Sequence, residues 1–169
     1  SGVVKGLTLH NFYIPAGGDE PDIDKNPKFS HKLNFIAEMT KHFSQQQPSR
    51  SILVGDLNIA PLAEDVWSTR QLRNTISHTA IERENLLALV EQGGWTDSVR
   101  AHFGPKEVLF SWWSYRARDW ATSNRGRRLD HIWVSRDLAS KVEAVTIESA
   151  MRGAEKPSDH VPLTITLQP

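Results

Sequence analysis

Ser51-Ile52-Leu53-Val54 is a short, unbroken apolar run closed by Gly55, with helix-like spacing in the segments on either side of it. Runs of this kind sit in the core of a sheet, where both faces are covered. Upstream, residues 3–14 are rich in β-branched and aromatic side chains and read as a strand stopped by Pro15-Ala16-Gly17-Gly18. After a polar loop over residues 19–28, Phe29, Leu33, Ile36, Ala37 and Phe43 recur at helical spacing, and the helix must end before Pro48. Downstream, Thr79 and Glu82 form a capping-box pattern ahead of Leu86, Leu87, Leu89 and Val90, with Gly93-Gly94 to close that helix. Residues 108–113, 129–134 and 142–147 are further strand candidates, and residues 161–167 alternate cleanly. Helices interleaved with mostly buried strands predict an α/β layered architecture in one domain over residues 1–169. There is no internal repeat or low-complexity tract, and the strand order is left open.

Charge narrows the function classes. Twenty basic and twenty acidic residues cancel, so the net charge does not advertise a nucleic-acid binder. Clustering does more: five of the basic residues are Arg116, Arg118, Arg125, Arg127 and Arg128. With no cysteine, any metal must rest on oxygen and nitrogen ligands. No apolar run approaches membrane-spanning length and no charged-then-apolar leader opens the sequence, so no membrane partner is expected.

Three polar pieces stand at the edges of apolar runs: Gly55-Asp56-Leu57-Asn58, Arg128-Leu129-Asp130-His131 and Ser158-Asp159-His160. Asp56 and Asn58, two apart, would share one face of an extended chain. Paired this way, an acid can take a proton or hold a cation, and an amide can donate to phosphate without adding negative charge. The plainer alternative is an Asp-x-Asn turn that satisfies its own backbone. Asp130 interrupts a strand that is otherwise apolar and needs a partner. His160 is the expected one, fixed in tautomer and kept protonated by the carboxylate, with a salt bridge to Arg127 or Arg128 as the alternative. His131 should point to the opposite face and be structural. Trp113 and Trp133 are expected in the core. Three aspartates, an amide and an imidazole are the groups that hold a divalent cation and stabilise a crowded oxyanion in metal-dependent phosphodiesterases.

Five ordered motifs resemble those of the exonuclease III family, the abasic-site DNA endonuclease branch of the endonuclease/exonuclease/phosphatase superfamily. They are Tyr13-Ile14-Pro15, Gly55-Asp56-Leu57-Asn58-Ile59-Ala60-Pro61, Phe110-Ser111-Trp112-Trp113-Ser114-Tyr115-Arg116, Asn124-Arg125-Gly126-Arg127-Arg128-Leu129-Asp130 and Lys156-Pro157-Ser158-Asp159-His160-Val161-Pro162. The resemblance implies a layered β-sandwich flanked by helices. It also implies hydrolysis of the phosphodiester 5′ to abasic sites and trimming of DNA 3′ ends. Its partner would be double-stranded DNA with abasic sites or 3′ ends, in the cytoplasm and nucleoid-associated in a bacterium. Carried over by position, Tyr13, Asp56, Asn58, Asp130 and His160 form the catalytic set. Asp56 would activate water, Asn58 would hold the phosphate, and His160, oriented by Asp130, would stabilise the developing charge. The resemblance places Mg²⁺ or Mn²⁺ on Asp159 together with Asp56, Asn58 and His160. Trp112 and Leu129 would wall a pocket for the base-less sugar, Arg116 and Arg127 would contact the strand, and Trp120 would push into a groove.

Two departures from the family pattern stand out. Nothing matches the family's opening asparagine strand or its metal-binding glutamate, so the chain reads as the C-terminal part of such a domain. On its own it is expected to bind metal poorly, to be inactive or nearly so, and to self-associate through an exposed sheet face. Ala16 also stands where relatives often carry an amide, which removes one phosphate contact. Two other readings stay open: a superfamily sibling acting on RNA or a small phosphoester, and an inactive DNA-binding module.

Overall fold

The computed structural model describes residues 1–117 and 119–168, so Arg118 of the arginine cluster lies outside the described residues. The first strand candidate is in fact a hairpin. β1 (Gly2–Val4) and β2 (Leu7–Asn11) pair antiparallel around Lys5-Gly6, both at positive φ. That two-residue geometry matches the right-handed twist of the flanking strands, which explains why one continuous β-rich stretch folds back on itself. α1 (Pro27–Gln45) then crosses to β3 (Ser51–Asp56), which pairs parallel with β2. Asn26 caps α1 by accepting from the Lys28 and Phe29 amides, and Pro27 opens it without wasting a donor. Its buried face carries Phe29, Leu33, Ile36, Met39 and Phe43, so Met39 fills the stripe where Ala37 was expected.

A one-turn helix, α2 (Thr69–Leu72), precedes α3 (Ala80–Gln92), and the expected Thr79–Glu82 capping box forms. β4 (Trp95–Asp97), α4 (Ser98–Phe103), β5 (Trp112–Trp113), α5 (Trp120–Ser123), β6 (Gly126–Arg127) and β7 (Asp130–Ser135) follow, and β8 (Val142–Ile147) and β9 (Leu163–Leu167) finish the chain. The strand expected over residues 108–113 shrinks to its last two residues, and Val108 is exposed. The main sheet runs β1-β2-β3-β7-β4, with β7 antiparallel to both of its neighbours.

Layering follows from alternation along the central strands. Leu53 and Trp133 face α1 and α3, packing with Ile36, Phe43, Leu86 and Leu89. Ile52, Val54 and Ile132 face the other way, onto Val99 of α4 and the β8–β9 hairpin through Val145, Leu163 and Ile165. Helices, a sheet and a second small sheet therefore stack in order, the layered α/β arrangement expected. Gly55 is required where β3 ends. It sits at φ +145°, and a Cβ there would lie 1.8 Å from the Phe12 carbonyl oxygen. The chain beyond β2 runs that close, its Phe12 and Ile14 amides bonding the Val54 and Asp56 carbonyls.

Below the sheet edge lies a buried ion network. Arg128, fully buried, donates to both oxygens of buried Asp65 at 2.6 and 3.0 Å and to Asp97 at 2.8 Å, and Arg100 joins Asp65 from α4. His131 is buried beside it, with Nδ1 3.2 Å from the Arg128 guanidinium and Nε2 2.9 Å from the Ile59 carbonyl. Because a guanidinium only donates, Nδ1 must accept and Nε2 must carry the proton. Burial and the Arg128 charge push this imidazole down to about 4. Below pH 6.5 the unfolded chain therefore takes up a proton that the folded chain refuses. Stability contributed by neutral His131 should fall steadily from pH 6.5 to about 4; neutral His10 and His78 act in the same direction, and against these three stands His160, whose proton affinity folding raises. Urea midpoints measured at pH 7.5, 6.0 and 5.0 should decline in that order; a flat series would contradict a buried neutral His131.

Candidate active site

Asp56, the last residue of β3, lies directly across the ladder from Asp130, the first residue of β7. Two carboxylates face each other there because antiparallel pairing ends both strands at the same level. His160 arrives from a third direction. The segment before β9 pairs with β5, its Asp159 carbonyl accepting from Trp113 N at 2.9 Å and its Val161 N donating to the Ser111 carbonyl at 2.8 Å. That pairing delivers the imidazole onto Asp130, with Nδ1 to Oδ2 at 2.8 Å, and leaves Nε2 3.9 Å from an Asp56 oxygen. The partner expected for Asp130 is therefore the one it has, and Arg128 serves Asp65 and Asp97 instead.

Electrostatics follow from these contacts. The hydrogen bond to Asp130 pushes the His160 imidazole above its ordinary value against the opposing effect of burial, so its charged form is favoured relative to a free imidazole. Burial pushes the Asp56 carboxyl up, and the nearby Asp130 charge adds to the shift, while the Asn58 N–H and His160 pull the other way. Asp56, Asp130 and His160 offer one ligand atom each within 4.8 Å of one another. Two carboxylate oxygens and an imidazole nitrogen, with no thiolate, suit a hard divalent cation such as Mg²⁺ or Mn²⁺.

Asn58 reaches the site by a turn rather than by extension. It adopts φ +52°, its amide N–H donates to Asp56 Oδ1 at 3.0 Å, and its side-chain nitrogen donates to Asp56 Oδ2 at 3.2 Å and to the Ile14 carbonyl at 2.9 Å. The turn-type alternative and the site are thus the same object, since the Asp-x-Asn turn is what brings acid and amide together. Ser111, fully buried, was not singled out by its spacing. Its hydroxyl donates to Asp130 Oδ2 at 2.7 Å and accepts from the Leu129 and Asp130 amides, both at 3.0 Å. It locks the carboxylate that orients His160.

Beside these groups opens a cavity of about 710 Å³, lined among others by Asn58, His160, Trp67, Trp112, Leu129 and the guanidiniums of Arg116, Arg125 and Arg127. Arg127 lies over Trp112 at 5.3 Å and donates to Ser77 Oγ at 2.9 Å; Arg125 lies over Trp67 at 4.7 Å. Such stacking presents a cation edge-on to an anionic ligand while the ring shields its face. Trp67 and Ser77 come from the stretch between β3 and α3, where no sequence pattern marked them. Tyr13 stands apart from this cavity, 63% exposed, on a neighbouring groove with Pro15, Ala16 and His31. The Asp159 carboxylate accepts from Trp112 Nε1 at 3.0 Å, outside the three-residue group. Trp113 and Trp133 are core as expected. Trp120 packs edge-to-face on Trp113 at 5.4 Å rather than projecting freely.

The sequence profile described as the Endonuclease/Exonuclease/phosphatase family matches residues 23–160. The chain belongs to that family. Exodeoxyribonuclease III of Haemophilus influenzae is 31% identical over 164 residues, which cover 93% of this chain and 60% of that protein. An AP endonuclease structure from Archaeoglobus fulgidus superposes with a TM-score of 0.88 at 28% identity, covering 97% of this chain and 62% of that one. The Neisseria 3′ phosphatase NExo, bound to a product DNA hairpin, superposes at 0.87 with 29% identity over 98% of this chain and 62% of its own. This family member thus spans about 60% of the length of such relatives. Among the described residues no helix is long and apolar enough to cross a membrane.

Proposed function

We propose that the domain to which this chain contributes is a metal-dependent DNA-repair nuclease, hydrolysing the phosphodiester 5′ to abasic sites and trimming 3′ ends. The observation that carries the reading is the convergence of Asp56, Asp130 and His160 beside a cavity walled by Trp112 and Leu129 and edged by arginines with no carboxylate partner among the described residues. Asp56, whose burial raises its proton affinity, takes the proton of the attacking water. Asn58 exchanges its longer amide bond, to Asp56, for one to the scissile phosphate. His160, aimed by Asp130 and with its proton affinity raised by that bond, donates to a phosphate oxygen as negative charge builds on it. The carboxylates of Asp56 and Asp130 would hold Mg²⁺ or Mn²⁺, with Asp159 nearby, leaving His160 free to donate, and the ion would supply charge neutralisation at the phosphate. Trp112 and Leu129 fit a flipped sugar without its base, and Arg116 and Arg127 meet the strand's phosphates. Tyr13 would reach the phosphate from the neighbouring groove.

The same reading takes the chain as the C-terminal portion of the domain, inactive or nearly so without the rest and housed in the cytoplasm. The test is incision of a labelled duplex carrying one abasic analogue, in Mg²⁺, by this chain with and without the remainder of the family domain. Cleavage on the 5′ side, only with the remainder present and abolished by EDTA, is the expected result. Hydrolysis of bis(p-nitrophenyl) phosphate without incision would move the assignment to a sibling acting on another phosphoester.

A further inference from the structure

Lys32 falls on the apolar face of α1, between Phe29 and Ile36, where an ammonium has no place unless it is paired. Its Nζ lies 2.6 Å from Glu82 Oε1, and both side chains are fully buried. Each end of this pair reaches out of the core into a loop that lines the active-site cavity. The ammonium donates to the Asn58 carbonyl at 2.8 Å and to the Ala16 carbonyl at 3.3 Å. The carboxylate accepts from Ser77 N at 3.0 Å, from Thr79 N at 3.1 Å and from Thr79 Oγ1 at 2.6 Å. Ser77 then holds Arg127 through its hydroxyl and Ala60 through its carbonyl.

Both residues gripped by the pair are strained: Asn58 has φ +52° and Ser77 φ +92°. Left-handed backbone is disfavoured at a side-chain-bearing residue, more at Ser77 than at Asn58, and persists only where its surroundings impose it. A buried ion pair is a poor way to gain stability, because well-packed apolar residues of similar volume do as well or better. What apolar residues cannot do is impose two unfavourable backbone conformations at fixed hydrogen-bond distances. We propose that Lys32 and Glu82 are the positioning pair of this site, holding Asn58 on one wall of the cavity and Arg127 on the other so that both meet substrate already aligned. The inference rests on the phosphodiesterase reading for its consequence, and on the contacts above for its geometry.

The test separates the two. In the naturally encoded protein, Lys32→Met removes the grip on Asn58, and Ser77→Gly cuts only the link to Arg127 and tolerates the positive φ. Amide hydrogen exchange reads position without any activity. Lys32→Met strands the buried Glu82 carboxylate and lowers protection globally, as Leu53 and Trp133 in the central strands will report; exchange at Asn58 and Ser77 should speed at least tenfold beyond that global loss. A loss at Asn58 and Ser77 no greater than at Leu53 and Trp133 would overturn the proposal, since it would mark the pair as a stability element alone. Kinetics on the abasic duplex then read the consequence. Lys32→Met should lower kcat at least tenfold, and in an Asn58→Ala background should add less than a twofold loss. Ser77→Gly should raise KM several-fold with kcat little changed, and should add nothing in an Arg127→Ala background. Full additivity in both cycles would also overturn it. If the unaltered protein cleaves neither the duplex nor bis(p-nitrophenyl) phosphate, the function is wrong, and the exchange data still decide the geometry.

Discussion

On the proposed nuclease reading, His160→Ala in the complete family domain should lower kcat for incision of an abasic duplex by about 10²–10³-fold, with KM changed by no more than a few-fold. A positioned donor aimed at developing charge supplies an effect of about that size when it is removed. The geometry explains why the loss should appear in kcat. His160 Nδ1 is committed to Asp130 at 2.8 Å, so Nε2 is the free donor, and the hydrogen bond to Asp130 raises the proton affinity of the ring. A ground-state anchor would instead raise KM, because it would contribute equally before and during bond breaking. The imidazole is only part-buried, so its truncation should leave the thermal midpoint nearly unchanged. Single-turnover rates at saturating enzyme are the measurement; a loss smaller than about fivefold would remove His160 from the chemistry.

Arg128→Met should destabilise the fold by about 3–5 kcal/mol, the cost of stripping a partner from a buried ion pair. In a domain of this size that corresponds to roughly 6–20 °C in the melting midpoint. The cost arises because Asp65 is fully buried and Arg128 saturates both of its oxygens, leaving Arg100 as its remaining cation. The neighbouring Arg127→Met, by contrast, should cost less than about 1 kcal/mol, since Arg127 faces the cavity and has no carboxylate partner among the described residues. Its effect belongs to substrate affinity. Urea unfolding of the two variants side by side is decisive, and equal stability losses would contradict the division of labour between adjacent arginines.

That pair of arginines shows where reading residues in order succeeds and where it fails. Arg127 and Arg128 sit in one motif with the same chemistry, and no local pattern separates the one under Trp112 from the one beneath the sheet edge. Alternation would have assigned them opposite faces, but not that one face is an ion network and the other a cavity. The Asp130–His160 pair was legible because an acid inside an apolar strand needs a partner, and few candidates existed. Ser111 was not, because a serine beside tryptophans carries no mark of the three hydrogen bonds it makes. The single strand expected over residues 3–14 became a hairpin because two positive φ values at Lys5-Gly6 outweighed its continuous β propensity.

By itself, then, the sequence determined the two long helices, the Thr79–Glu82 cap and the buried central strands, because periodicity, capping and desolvation cost act locally and leave marks at short range. Only the tertiary structure decided which side chains meet. Lys32 with Glu82, Ser77 with Arg127 and Asp65 with Arg128 are each separated by about fifty residues or more. Such contacts are set by how layers stack, and the energy that selects them belongs to the assembled core rather than to any stretch of chain.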